Sequence, residues 1–346
     1  MITNRRYCMS AYLMFRSILD AEYRFSDDSV THIADGSFPR EAIHNSDELL
    51  MHLKHDVQKS CADGNTALML SGGIDSAILA SFMPEESQTY TFKCIVPGVD
   101  VIDETPRAKV YADRCKLKNE VIEIYWEDFE KYAPILMKHK GAPIHSIEVQ
   151  IYKAALKAKK DGFTKVIFGE NADIIYGGMN GLLAKDWTFG EFVDRYSYVQ
   201  PYKVLKDPEL ILEPFKKYVE NGRIDAHRFI NEYFRIEALG TYQNACETAG
   251  VEFVGPFSTS DMAVQIDYNR IRSGDTKYFV REVYRKIYGN DAMPPKIPMP
   301  RPMNEWMTNW EGPTRPEFWP HCTEGMTGDQ KWMIYALEKY LNILGE

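Results

Sequence analysis

Residues 67–80 read Ala67-Leu68-Met69-Leu70-Ser71-Gly72-Gly73-Ile74-Asp75-Ser76-Ala77-Ile78-Leu79-Ala80. An apolar strand pattern runs into Ser71-Gly72-Gly73-Ile74-Asp75-Ser76, and a helical pattern follows at once. The two glycines let the backbone turn tightly and approach a ligand with no Cβ in the way. Backbone N–H groups of the turn and of the new helix then converge on one spot, where the helix dipole favours an anion. Ser71 and Ser76 add hydroxyl donors. Asp75 would repel a bare phosphate, so its presence implies a bridging Mg²⁺. A lone Gly-Gly between a strand and a helix is most often only a turn. Here the whole Ser-Gly-Gly-x-Asp-Ser string stands in the strand–helix context that such a motif requires. Neither Gly-x4-Gly-Lys-Ser/Thr nor Gly-x-Gly-x-x-Gly occurs.

Outward from this string, strands and helices alternate. Strands are expected over 66–70, 89–96, 120–126 and 165–168, and helices over 46–59 (with Ser46 as N-cap), 75–82, 104–115, 127–139 and 148–160. The alternation predicts an α/β fold with a doubly wound parallel sheet, whose ligands bind at the carboxyl ends of the strands. Residues 1–45 form a mixed N-terminal junction segment, with a short helix expected in 10–25 and loop and hairpin over 25–39. Residues 46–180 form the α/β core. After Gly178 strand signals fade, and 181–346 reads as a helical region packed on the core, with helices at 188–198, 214–220, 226–248, 277–288 and 329–344. The stretch Pro294-Pro-Lys-Ile-Pro-Met-Pro-Arg-Pro302 reads as an ordered loop between two of these helices.

A second constellation follows the strand at 165–168: Gly169-Glu170-Asn171-Ala172-Asp173-Ile174-Ile175-Tyr176-Gly177-Gly178. It sets two carboxylates just past a strand end. In a sheet of this type they face the crevice that holds Ser71 to Ser76, so Asp75 and Asp173 could share one metal. Standing alone, it would read as an acidic helix start with a capping role.

The two strings together resemble the synthetase domain of glutamine-dependent asparagine synthetases, within the ATP pyrophosphatase (PP-loop) family whose relatives include β-lactam synthetases and lasso-peptide cyclases. The resemblance covers roughly residues 45–305. Glu104 with Ala108 and Ala112 is similar to the family's nucleotide-side helix. Gly250-Val-Glu-Phe-Val-Gly-Pro-Phe257 and Gly274-Asp-Thr-Lys277-Tyr-Phe-Val-Arg281-Glu282 are similar to its Gly-Val-Glu-x-Arg-Val-Pro-Phe and Gly-x-x-Lys-x-x-x-Arg-Glu segments, and Pro294-Pro295 and Arg301 echo elements near its end. The resemblance implies an ATP-dependent, AMP-forming amide ligase. In that reading Ser71, Gly72, Gly73, Asp75 and Ser76 bind ATP and its pyrophosphate, and Asp75 and Asp173 hold Mg²⁺. Lys277 stabilises charge on the reacting intermediate, and Glu170 orients the amine and takes its proton. Ser146, Gly169 and Val254 would border the substrate cleft.

The chain also departs from the pattern. No glutaminase domain is expected ahead of the match, so free ammonia, a separate glutaminase subunit and an organic amine all stay open as the nitrogen source. Val254 stands where the family has an arginine, and Thr259 where it has an aspartate. An arginine there would be a natural carboxylate clamp, so its loss argues against assuming an amino-acid substrate. Ile174 follows Asp173, as in the β-lactam synthetase branch. The acid is expected to be a small-molecule or peptide carboxylate in a specialised biosynthesis.

Composition bounds these readings. The 346 residues are 45% hydrophobic and 26% charged, with net charge −9 and no Lys/Arg-rich run. That argues against nucleic acid as the main partner. No apolar stretch reaches membrane-spanning length, and the six cysteines are scattered with no Cys-x-x-Cys. The chain is therefore expected to be a cytoplasmic protein with reduced thiols. His139, His145 and His321 lack metal spacing. Trp306, Trp310 and Trp319 cluster with prolines and are read as packing, with an aromatic wall for an organic substrate as the alternative. Two competing functions remain: sulfur transfer within the same family, which the lack of a motif cysteine disfavours, and a non-catalytic ATP-binding subunit, which would predict broken catalytic positions.

Overall fold

The computed structural model describes residues 1–29, 39–289, 293–297 and 299–345. At its centre lies a five-stranded sheet of β1 (Thr66–Met69), β2 (Gln88–Cys94), β3 (Lys118–Ile124), β4 (Lys165–Ile167) and β5 (Glu252–Val254). The order is β5-β4-β1-β2-β3, and every neighbouring pair is parallel. The chain walks outward from β1 to β3, then returns to the other side of β1 for β4. That reversal is the switch point of a doubly wound sheet, where ligands enter at the carboxyl ends. Both motifs leave the sheet there, one after β1 and one after β4.

The helices that frame the sheet are α1 (Arg5–Phe15), α2 (Ser46–Cys61), α3 (Ile74–Ala80), α4 (Thr105–Arg114), α5 (Trp126–Lys140), α6 (Ile147–Lys160), α7 (Ala172–Ile175), α8 (Arg235–Ala249), α9 (Tyr278–Tyr288) and α10 (Gly328–Ile343). Strand alternation divides their packing. Ala67, Met69, Tyr90, Val166 and Phe168 join a core with α1, α5, α6, α8 and α10. Leu68, Leu70 and Ile167 join a second core with α2, α3, α4 and α9. Both faces are covered, which is why the strands read as apolar runs rather than as alternation.

Several elements differ from expectation, each for a local reason. The N-cap of α2 is Asn45, whose Oδ1 accepts from Asp47 N and Glu48 N at 3.0 Å each. Ser46 is already helical, buried, and accepts from Lys286 Nζ at 2.8 Å. α1 starts earlier than expected because Asn4 caps it, and it stops where Arg16 turns left-handed at φ 56°. The loop and hairpin expected over 25–39 fall largely outside the described residues. The sheet gains β5 from the segment read as helical. The helix expected over 226–248 is interrupted by a π-helical turn at Ile230–Phe234, and that over 214–220 yields to a short hairpin of Val219–Glu220 with Arg223–Ile224.

The tryptophans divide. Trp306 packs against Trp126 and Phe129, with ring centroids 6.2 and 5.0 Å away, and Trp310 lies edge-on to Tyr335. Trp319 is exposed. No described helix is long and apolar enough to cross a membrane, and all six cysteines are free thiols.

Candidate active site

The loop after β1 is pre-set by its own hydroxyls. Ser71 N and Ser71 Oγ lie 3.0 and 2.9 Å from Ser76 Oγ, and Gly73 N donates to Ser71 Oγ at 3.1 Å. Gly73 caps α3 without a side-chain bond, which leaves the first-turn amides open. A Cβ at Gly72 would lie 3.0 Å from Arg107 Cδ. Glycine there lets α4 lay Arg107 across the loop. A Cβ at Gly169 would lie 3.1 Å from both Asp75 Cβ and Ser76 N. Glycine at that position therefore lets the two motifs come into contact.

Asp75 opens α3 and Asp173 sits in the first turn of α7. The two carboxylates meet at one ammonium. Lys277 Nζ lies 2.7 and 2.5 Å from the two oxygens of Asp75 and 3.3 Å from Asp173 Oδ1. Lys277 caps α9 in the left-handed region at φ 52°, a conformation that costs an ordinary residue about 1 kcal/mol. From the proline-rich strap, Lys296 Nζ reaches Asp173 Oδ1 at 2.8 Å and the Gly178 carbonyl at 3.3 Å.

Burial sets the charges, and the neighbours correct it. Desolvation would lower the Lys277 ammonium, but Asp173 and Asp75 more than offset it and hold the group above its ordinary value. Burial pushes Asp75 up against the pull of Lys277. Burial acts the same way on Asp173, yet Lys277 and Lys296 together hold that carboxyl below the usual range. Glu170 is pushed up to about 7 by burial, although a hydrogen bond with the Tyr242 hydroxyl opposes the shift. A carboxyl poised near neutrality can accept a proton at working pH.

These groups share one cleft with a volume of about 210 Å³. Ser71, Gly73, Asp75, Ser76, Gly169, Glu170, Asp173 and Lys277 all line it, and Gly72 backs onto Arg107 beside it. Two expected cleft residues stand elsewhere. Ser146 is buried at the start of α6, its Oγ 3.5 Å from Asp329 Oδ1, because the chain enters that helix through the core. Val254 ends the edge strand β5, one strand beyond the switch point, and borders a separate groove with Asp56 and Thr259. Other cleft residues carried no motif of their own: Thr91, Tyr242, Lys296 and Met299 reach it only through tertiary folding. Glu104 and Arg281 also line it, and their place in the quoted family segments was the one signal that could have found them.

The donor set can be tested against Mg²⁺. Among the described residues no three His, Cys, Asp or Glu side chains gather as a metal cage. Two carboxylates converging on one cation position suit an ion that takes one or two carboxylates and completes its octahedron with phosphate oxygens and water. Asp75 and Asp173 fit it.

The model of the asparagine synthase family matches residues 48–313. The chain belongs to the asparagine synthase family. Both loop motifs, the Lys277 cap and the Lys296 strap lie inside the asparagine synthase match. No curated protein matches the chain. Among solved structures, the NH3-dependent NAD synthetase from Campylobacter jejuni is 15% identical, with 39% of this chain and 61% of that chain covered and a TM-score of 0.26. The NMN synthetase from Francisella tularensis is 14% identical, with 74% of this chain and 100% of that one covered and a TM-score of 0.29. The chain thus spans about three-fifths of the first of these enzymes.

Proposed function

We propose that the protein is an ATP-dependent, AMP-forming amide ligase that activates a small-molecule or peptide carboxylate and transfers it to ammonia or an organic amine. The observation that carries this reading is the convergence, at one switch-point cleft, of the phosphate-type loop, the Asp75–Asp173 pair, Lys277 and Glu170.

The chemistry has two halves. A carboxylate oxygen attacks the α-phosphorus of ATP, the bond from that phosphorus to the bridging oxygen breaks, and pyrophosphate leaves. The amine nitrogen then attacks the acyl carbon, and AMP departs with the electron pair of the C–O bond. The loop amides and the Ser71 and Ser76 hydroxyls hold the pyrophosphate. Asp75 and Asp173 would hold Mg²⁺, which when bound would neutralise phosphate charge. In the protein alone Lys277 neutralises that carboxylate pair, so binding of the nucleotide complex releases its ammonium toward the developing negative charge. Arg281, one turn after Lys277 on α9, adds positive charge on the pyrophosphate side. Glu170, held by Tyr242, takes the amine proton.

The test is pyrophosphate and AMP release from Mg-ATP, with ammonium and a panel of carboxylic acids that includes aspartate. Release that depends on one acid and disappears in Asp75→Ala is the expected outcome. ATP bound by calorimetry with no release from any acid, amine or added glutaminase would leave a non-catalytic nucleotide-binding role.

A further inference from the structure

Glu104 is a carboxyl that the ligase chemistry leaves unused. It lies at the start of α4, is only 7% exposed, and lines the cleft beside the β1–β2 wall that carries Leu70 and Thr91. Among the described residues no donor reaches its side chain, and its electrostatic neighbours are Arg107 and Asp103. Buried carboxyls without donors are rare, because they give up hydration for nothing. One facing a ligand cleft is explained by a ligand that brings the donors.

Three constraints identify that ligand. It is not a phosphate, which an unpaired carboxylate repels. It sits close to the phosphates: Glu104 and Arg107 share a face of α4 at i, i+3, and Arg107 Nη1 lies 3.5 Å from the Gly72 carbonyl of the phosphate loop. It lies on the β2 side of the loop, whereas Glu170 and Tyr242 stand on the β4 side. The group of a nucleotide that adjoins its phosphates and offers two neighbouring O–H donors is the ribose. A carboxylate's two oxygens match a vicinal diol, much as acidic residues at other nucleotide-binding sheets take the ribose hydroxyl.

We propose that Glu104 receives the ribose hydroxyls of ATP and makes the cleft selective for ribonucleotides. This assignment rests on the ATP-dependent reading above. Burial also pushes Glu104 up to about 7, as expected of a carboxyl whose donors arrive only with the ligand.

Calorimetry on the full chain with Mg²⁺ tests it, using ATP, 2′-deoxy-ATP and 3′-deoxy-ATP. Wild type should bind ATP roughly tenfold more tightly than at least one deoxynucleotide, the scale of a hydrogen bond to a charged acceptor. Glu104→Ala should weaken ATP by a similar factor, leave that deoxynucleotide unchanged and so abolish the discrimination. Glu104→Gln, which keeps one acceptor, should recover part of it. Equal losses for ATP and both deoxynucleotides, or no loss at all, overturn the ribose assignment while leaving the ligase reading intact. Wild type that binds no ATP overturns both. A thermal melt of Glu104→Ala at or above the wild-type midpoint shows that lost affinity is not lost folding.

Discussion

For Glu170, the proposed base, burial has a consequence for stability as well as for the proposed chemistry. Its carboxyl is raised from 4.5 to about 7 because the cleft desolvates it. As a base it works only when ionised, so turnover at limiting amine should rise as pH rises through about 7. Glu170→Gln should remove that limb and lower turnover by about 10² to 10⁴-fold, the range for a lost general base. Stability has the opposite sign. Below pH 4.5 the folded and unfolded chains both hold the proton. Between 4.5 and about 7 the folded chain keeps it while the unfolded chain releases it, so stability falls with pH across that window. Glu170→Gln should therefore be more stable than wild type at pH 8, by on the order of 1 to 3 kcal/mol, and show no advantage at pH 4. Urea midpoints measured at the two pH values check this, and an advantage equal at both would mean that ionisation is not its source.

At the scale of elements, the site depends on how closely the turn after β4 presses on α3. Gly169→Ala would place a methyl group 3.1 Å from the Asp75 Cβ and the Ser76 backbone nitrogen. Neither is the loose end of a flexible side chain, so β4 and α3 must part by a few tenths of an ångström. The expected outcome is a KM for ATP raised about tenfold or more with a destabilisation of about 1–3 kcal/mol, read from steady-state kinetics and a urea melt. An unchanged KM would show that the contact does not set the spacing of Asp75 from Asp173. This contact also marks what a sequence can disclose. The Ser71–Ser76 and Gly169–Asp173 strings were legible as turns between a strand end and a helix because that pattern is written in neighbouring residues. β5 was not, since Glu252–Val254 is three residues long and its strand character comes from pairing with β4. Neither was the π-helical turn at Ile230–Phe234, which lies against α7 in the folded chain. Tyr242 and Lys296 stand 72 and 126 residues beyond Glu170 in the chain, and only the closed fold brings Tyr242 to Glu170 and Lys296 to Asp173. Val254 stands outside this cleft because its place depends on which edge β5 joins.

Across the whole molecule, charge and packing both single out the cleft. A chain of net charge −9 gathers Arg107, Lys277, Arg281 and Lys296 in or beside one opening, where they face Asp75, Glu104, Glu170 and Asp173. The packing that supports this opening is continuous. The core on the Met69–Phe168 face runs from α1 through α5, α6 and α8 to α10, so the C-terminal helix is part of the body rather than an appendage. Trp332 on α10 is 1% exposed; its ring meets Phe129 edge-on at 5.3 Å, and its Nε1 donates to the Ile144 carbonyl at 3.1 Å. Trp332→Ala should cost about 3–5 kcal/mol. If the core is one cooperative unit, that loss must lower the midpoint of a single urea transition while its slope stays constant, because the surface exposed on unfolding is unchanged. A new early transition of small slope, with pyrophosphate release retained after it, would show instead that α10 unfolds alone and that the cleft stands without it.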